Sequence, residues 1–520
     1  MRYGFVIDQR RCIGCHACTV ACKEENRVPL GAFRTWVKYV ERGTFPQTRR
    51  YFSVLRCNHC DDAPCVTICP TVALYRRPDG IIDFDGARCI GCKGCMQACP
   101  YDALYIDPDT HTAAKCNYCA HRIEVGLEPA CVIVCPEQAI IAGDLDDPKS
   151  TIARIVGREP VQVRKAEQGT RPKVFYLGAD ASTLSPELQA PATTYLWAER
   201  PRAEVDLVKM VAAAQRGDAS GAGALSRPVY DVPHQVRPWG WKVAAYLWTK
   251  SIAAGALLVA ALAGSPGWGS LHGVGAPVLS LFFLVLTTAL LIFDLKRADR
   301  FAYILLKPNW RSWLVRGAWI LMAFGAVGAV WLFGGLTDRG DVVSATFVPA
   351  ILLALAAAGY SAFLFGQAEG RDFWQSPLVL PHLIVASLVA GSATLSLATV
   401  VWPAGVMVAG RYVSHPGDTL GALMVLSLLA NAGLLAVELG TRHPVRDVAK
   451  AARIITHGGY RARFWGGVVV TGTALPIAFV MADFALTLWP LSHFAAILAL
   501  AGLWLWEDLW VRAGQSVPLS

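Results

Sequence analysis

Residues 89–100 read CIGCKGCMQACP, and residues 12–22 read CIGCHACTVAC. Both carry the spacing C-x2-C-x2-C-x3-C. Short steps of this kind let a loop curl around an inorganic cluster with its backbone N–H groups aimed at the sulfurs. Three closely spaced thiolates then hold one [4Fe–4S] cube, and the fourth reaches across to another. Two further groups, Cys57, Cys60, Cys65, Cys69 and Cys116, Cys119, Cys131, Cys135, keep the count of four but lengthen one gap each. Pro70, Pro100 and Pro136 follow three of the groups and end the turn, because proline fixes φ and donates no hydrogen bond. Lys23 follows the first group. With Cys12, Cys15, Cys18, Cys22 and Cys89, Cys92, Cys95, Cys99, these groups contain all 16 cysteines of the 520 residues. The spacing predicts four [4Fe–4S] clusters, no [3Fe–4S] centre, and sixteen iron ligands.

Competing readings of the cysteines fit less well. Structural zinc uses two separated C-x2-C pairs rather than three cysteines in a row. Disulfides need an oxidising compartment. The N-terminal MRYGFVIDQRRC has no apolar core of a signal peptide, and Arg10-Arg11 abut the first cysteine group, so neither a secretory nor a twin-arginine leader is expected. His16 and His59 lie within cysteine groups that are already complete, which makes them solvated or hydrogen-bonded loop residues rather than ligands.

The rest of the chain is apolar. Hydrophobic residues make up 54% of the sequence and the mean hydropathy is +0.39, with the excess in the second half. The net charge of +9 is no nucleic-acid signal, because the basic residues cluster in loops between apolar runs. Residues 236–512 hold eight segments long enough to cross a bilayer: 242–263, 276–295, 317–335, 347–366, 378–402, 419–439, 465–488 and 493–511. Arg237 and Lys242 lead into the first. Lys296, Arg297, Arg300, Lys307, Arg311 and Arg316 follow the second, and Arg442, Arg446, Lys450, Arg453, Arg461 and Arg463 follow the sixth. The intervening loops carry Arg339, Arg411 or nothing. The positive-inside rule places both termini, the basic loops and the cysteine-rich domain in the cytoplasm.

The expected organisation is therefore a four-cluster domain over 1–145, an extension and linker over 146–235, and a transmembrane domain over 236–520. Stretches Arg2–Asp8, Thr35–Val40, Phe52–Arg56 and Ile81–Phe84 read as short strands between the cysteine loops. This suits an α+β double unit of ferredoxin-like type, followed by an all-α eight-helix bundle. Residues 202–232, rich in Ala, Gly, Pro and charge, read as a linker with one short helix. A faint repeat relates the sequence after the second span to that after the sixth, dividing the bundle into two four-helix halves.

Two resemblances follow. The segments CNHCDDAPC (57–65), DGARCIGCKGCMQACPY (85–101) and KCNYCAHRIEVGLEPACVIVCP (115–136) resemble the four-cluster electron-transfer subunit of the DMSO-reductase family of molybdoenzymes. The likeness covers all sixteen cysteines and implies that the first group shares its two clusters with the fourth, and the second with the third. The segments LKRADRFAYILLKPNWRSWLVRGAWIL (295–321) and FLFGQAEGRDFWQSPLVLPHLIVASLVAG (363–391) resemble the NrfD/polysulfide-reductase membrane-anchor family. Such anchors are usually separate subunits, so the chain resembles a fusion of the two. The resemblance implies a non-pterin subunit of an oxidoreductase complex. A cytoplasmic molybdopterin or tungstopterin catalytic subunit would dock on the cluster domain, and electrons would exchange with a quinone, menaquinone or ubiquinone, at the membrane.

Histidines in the apolar half are sparse (His272 in an outer loop, His382, His415, His443, His457 and His493), and no two sit at matching depth, so no haem is expected. Ionisable groups inside a span are costly and mark function by default. Lys242, Tyr246 and Lys250 repeat at i, i+4, i+8 on one helix face. Asp294, Gln367, Glu369, His382 and Glu438 lie toward the cytoplasmic ends of their spans. Tyr246, Lys250 and His382 are candidate donors to quinone carbonyls, with Asp294 and Glu438 as proton relays. Against this stand ordinary structural roles: Asp294 paired with Arg297 or Arg300, Lys242 snorkelling, Tyr246 in an interfacial belt. Asp483 is a further proton-path candidate. Other functional classes remain open: an energy-transducing proton translocator, a nickel–iron hydrogenase partner, or a redox sensor, for which no signalling domain is present.

Overall fold

The computed structural model describes residues 1–43, 46–190, 226–235, 237–263, 270–402, 407–408, 411–412, 416–486 and 490–520. Most of the expected linker (202–232), and His415, lie outside the described residues. The chain forms two compact units: Met1–Pro238 with Ala368–Gly370 and Pro518–Ser520, and Trp239–Gln367 with Arg371–Val517.

The first unit is built from small sheets that hold the cysteine loops. Strand β1 (Tyr3–Asp8) is central in a four-stranded sheet. It pairs antiparallel with β8 (Ile140–Asp144) and parallel with β10 (Val174–Leu177), whose outer neighbour is β9 (Val161–Gln162). A three-stranded antiparallel sheet has the order β11 (Arg227–Tyr230), β2 (Thr35–Arg42), β3 (Arg49–Arg56). Residues 227–230, expected at the end of the linker, therefore close a sheet. Two hairpins, β4 (Leu74–Arg76) with β5 (Ile82–Phe84) and β6 (Leu104–Ile106) with β7 (Ala113–Lys115), separate the second, third and fourth cysteine groups. Phe5, Ile7, Val37, Val54, Val174 and Tyr176 share one buried cluster with Cys18 and Cys131, so the ligand loops are part of the core.

The second unit is helical. Among the described residues, eight helices are long and apolar enough to cross a membrane: Trp241–Leu262, Leu271–Asp294, Trp313–Leu336, Gly340–Gly366, Val379–Ala398, Thr419–Gly440, Arg463–Leu486 and Leu491–Gly514. They reproduce the eight expected spans, and the fourth starts a full two turns earlier than its apolar run suggests. His272, expected in an outer loop, is instead buried in the first turn of the second span, its ring against Trp331 and Phe347. The first, fifth and eighth spans are the most enclosed, with 94, 72 and 61% of their most apolar stretches buried. The others turn large side chains such as Phe282, Val285, Leu352 and Leu426 outward, as a lipid-facing surface requires.

Small residues bring the inner helices together. A Cβ on Gly255 of the first span would lie 1.9 Å from the Ser387 carbonyl of the fifth, and one on Gly391 would lie 2.2 Å from the Gly255 carbonyl. With little hydrophobic drive between helices in lipid, such close backbone approach supplies the packing energy.

Candidate iron–sulfur relay and intramembrane polar centres

Each cysteine group begins in a loop and runs into a short helix. Helix α1 (Ala17–Glu25) carries Cys18 and Cys22, α2 (Pro64–Ile68) carries Cys65, and α3 (Gly94–Ala98) carries Cys95. Helix α4 (Ala120–Ile123) directly follows Cys119, and α5 (Ala130–Ile133) carries Cys131. Left-handed residues recur at matched offsets: Gly14 and His16 in the first group, Gly91 and Lys93 in the third. This conformation gathers successive N–H groups into a concavity suited to an anion. At Gly14 no side chain fits, since a Cβ would lie 2.4 Å from the Phe52 ring. Backbone N–H groups reach the sulfurs as the spacing requires: Ala139 donates to Cys135 at 3.2 Å, Ala113 to Cys89 at 3.3 Å, and His59 to Cys57 at 3.5 Å.

The fold regroups the sixteen cysteines into four sets. Cys12, Cys15, Cys18 and Cys135 line one cavity, and Cys69, Cys89, Cys92 and Cys95 another. Cys22 faces Cys131 and Cys119, and Cys116 faces Cys22 and Cys131. Cys65 faces Cys99, Cys57 and Cys60. Every group thus gives three cysteines to one set and sends its last to another, joining the first group with the fourth and the second with the third. The sets also stand in single file. Cys18 faces Cys131, Cys116 faces Cys57, and Cys65 faces Cys95. The order is 12/15/18/135, then 22/116/119/131, then 57/60/65/99, then 69/89/92/95.

The donor chemistry of these sets fits [4Fe–4S] clusters. All sixteen cysteines are free of disulfides. Among the described residues no three His, Cys, Asp or Glu side chains converge closely enough for a single metal ion, as structural zinc would need. Burial pushes the bare thiols up, Cys18 to about 12 and Cys22 to about 11, so these positions favour the thiolate only when a cationic centre is bound. His16 and His59 serve the loops: His16 Nε2 lies 2.9 Å from the Tyr39 hydroxyl, and His59 Nδ1 accepts the Ile82 N–H at 3.1 Å.

Inside the bundle Tyr246, Lys250, His382 and Glu438 fall into two centres, and Asp294 is half-buried at the end of the second span. Lys250, on the first span, is fully buried. Its Nζ donates to the Ala358 carbonyl and to Ser361 Oγ, both at 2.8 Å, and sits 5.0 Å from the centre of the Tyr360 ring. Tyr246, one turn away, is buried beside Ser361 and lies within the field of Glu507 and Asp294. Glu507, on the eighth span, is 3% exposed and is the charge acting on Lys250. Sequence reasoning misses it because WLWEDLWVR (504–512) reads as a helix end approaching the membrane surface. Lys242 does not join this centre; its Nζ donates to the Phe293 carbonyl at 2.8 Å on the exposed side.

His382 and Glu438, on the fifth and sixth spans, form the second centre. His382 Nε2 lies 2.8 Å from Glu438 Oε2, both side chains are buried, and the His382 ring lies 6.0 Å from that of Trp506. Arg297 and Arg300 pair with Asp299. Gln367 clamps a loop, accepting from the Trp313 N–H and donating to the Arg311 carbonyl. Asp483 is half-buried on the seventh span.

A family model described as "Polysulphide reductase, NrfD" matches residues 231–517, more than half of the chain. The chain belongs to the NrfD family. This NrfD-family chain also matches a "4Fe-4S dicluster domain" model over residues 48–145. Its first part is 48% identical over 202 residues to a tetrathionate reductase subunit of Salmonella typhimurium, covering 38% of this chain and 80% of that one. It is 42% identical over 179 residues to a polysulfide reductase chain of Wolinella succinogenes, covering 34% and 93%. It is 43% identical over 178 residues to "Protein NrfC" of Escherichia coli, covering 34% and 80%. The NrfD-family chain is accordingly a multi-pass membrane protein that joins a 4Fe–4S electron-transfer module to its anchor, and a subunit of an oxidoreductase complex.

Proposed function

We propose that this chain carries electrons between a separate catalytic subunit and the membrane quinone pool. The observation that carries the reading is the single file of four four-cysteine sets in the same chain as a buried Tyr246–Lys250–Glu507 centre. The sixteen cysteines hold four [4Fe–4S] clusters, which supply one-electron transfer when bound. Residues 1–145 are the cluster module, 146–235 its extension and linker, and 236–520 the anchor. Basic loops on one side of the spans support a cytoplasmic face for the cluster module and both termini.

The catalytic partner, of molybdopterin or tungstopterin type, meets the first set. Cys15 is exposed there, and Ile13, Val20, Ile133 and Val134 are 54, 65, 55 and 40% exposed around it. An apolar rim at the outermost set suits a stable subunit contact. The relatives named for tetrathionate reductase and polysulfide reductase indicate sulfur-compound reduction as the class to test first for that partner.

Reduction of a quinone takes two electrons and two protons to give the quinol. Lys250 and Tyr246 donate hydrogen bonds to the carbonyl oxygens, Glu507 and Asp294 exchange the protons, and the reverse steps serve quinol oxidation. The bundle needs no haem for this route. His382 and Glu438, set apart from Lys250, support a second reading in which the bundle also moves protons across the membrane.

The test is metal analysis of the anaerobically purified complex together with quinone turnover. Molybdenum or tungsten near one per chain with about sixteen or more iron atoms supports the proposal. Nickel redirects it to hydrogen chemistry. Zinc in place of iron refutes it. Proton uptake by sealed vesicles in excess of the quinone stoichiometry would establish the second reading.

A further inference from the structure

Arg56 ends β3, directly before Cys57. Its side chain is 1% exposed and does not serve the neighbouring cysteine's set. Its Nη1 donates to Cys131 Sγ at 3.1 Å, 75 residues along the chain, and the guanidinium lies 4.5 Å from the centre of the Phe5 ring. Cys131, Cys116 and Cys18 are the groups whose charge it meets. Its Nε and Nη2 are buried with no acceptor among the described residues. A guanidinium taken out of water with one sulfur and one ring as partners is unfavourable unless an anion stands beside it. An apolar side chain of similar size would pack there at less cost. Asn26 adds to the same set: its Nδ2 lies 3.8 Å from Cys22 Sγ and 3.7 Å from Cys119 Sγ. Asn26 is in turn held by Arg34, whose Nη1 donates to Asn26 Oδ1 at 3.0 Å.

We infer that Arg56, assisted by Asn26, is a positioning residue that raises the reduction potential of the cluster held by Cys22, Cys116, Cys119 and Cys131. The inference rests on the cluster reading above. A fixed buried cation favours the more negative, reduced state of the cluster. Hydrogen bonds to the thiolates withdraw charge in the same direction. Side-chain donors reach three of the four thiolates of this set, so the second site of the file is tuned from its surroundings as well as by its ligands.

The experiment is an EPR-monitored redox titration of the purified complex, with iron counted on the same samples. In Arg56→Gln, one of the four midpoints should fall by at least tenfold in the reduction equilibrium constant, about 59 mV for one electron. The other three should move less. Arg56→Lys should recover most of the shift, and Asn26→Leu should lower the same midpoint by a smaller factor. Unchanged midpoints in Arg56→Gln at full iron content overturn the inference, as does failure of Arg56→Lys to differ from Arg56→Gln. If Arg56→Gln fails to assemble, wild-type complex labelled with 15N-arginine decides. Coupling of a guanidino nitrogen to one reduced cluster supports the assignment, and its absence from every cluster overturns it. Iron well below sixteen in the wild type would instead refute the cluster reading itself.

Discussion

The cluster module and the helical bundle both bury charge, and they differ in what else surrounds it. In the module, Arg56 and Lys115 are enclosed beside the cysteine sets, while Lys173 pairs with Asp61 and Lys38 with Asp231. Lys115 Nζ donates to the Ile82 and Cys116 carbonyls, and Lys173 Nζ to the Gly80 carbonyl. In the bundle, buried acids and bases face one another: Lys250 with Glu507, His382 with Glu438. The Arg56 guanidinium beside the sulfurs stays charged at every working pH. The acid–base pairs of the bundle are groups able to exchange protons, as the proposed quinone chemistry needs. The difference predicts that cluster-module substitutions alter potentials and iron content, and bundle substitutions alter quinone turnover and its pH dependence.

The largest effect should come from cutting the file. Cys95→Ser removes a thiolate that the fourth set shares with no other site. Quinone-linked electron flow should fall to about a hundredth or less while membrane insertion persists, and iron should drop by about four atoms of sixteen. Full turnover with that cluster missing would break the single-file order.

Lys250→Leu should come next. Loss of a hydrogen-bond donor and proton-transfer group from a buried site costs about a hundredfold in quinone turnover, with iron and cluster spectra unchanged. Glu507→Gln should lose about tenfold and shift the pH profile. Equal losses in iron would show that the two regions are not chemically separate.

Substitution at the second centre should cost less for quinone chemistry. His382→Leu should reduce turnover by about threefold or less. If His382 serves a proton path, the loss should appear instead in proton uptake by sealed vesicles.

The smallest effect concerns the stability of the cluster module. His234 Nδ1 lies 2.8 Å from Asp102, and its Nε2 lies 3.2 Å from Asp231, which also pairs with Lys38. Burial opposes the charge, but the two carboxylates outweigh it and hold the imidazolium up to about 10. A pKa raised on folding stabilises fully below the unfolded value near 6.5 and loses that contribution as pH rises through about 10. Melting of the module should therefore fall by a few degrees between about pH 7 and pH 10. His234→Gln should flatten this dependence.

The two regions also differ in how much the sequence discloses. Cysteine spacing is local: ligands three residues apart must lie in one loop, so Cys89, Cys92 and Cys95 declare themselves. Eight apolar runs declare spans just as locally, because bilayer thickness sets their length. The strands of the first sheet are less visible, since β8 and β10 are short and join β1 only through contacts more than 130 residues apart. Arg56 is one arginine among many in sequence, and its sulfur partner appears only when β3 is folded against α5. Glu507 is hidden because a carboxylate near the end of an apolar helix usually reaches water. Only the packing of the eighth span against the first turns it inward toward Lys250. His382 and Glu438 are visible singly as intramembrane charges, but their pairing depends on which spans are neighbours.

The most direct test of the account is reoxidation of the dithionite-reduced complex by a soluble menaquinone analogue, followed by rapid mixing in the visible absorbance of the clusters. In the wild type quinone should reoxidise the clusters, and Lys250→Leu should slow this by about a hundredfold with the same iron content. Clusters that stay reduced in the presence of quinone, or that reoxidise equally fast in Lys250→Leu, would contradict it.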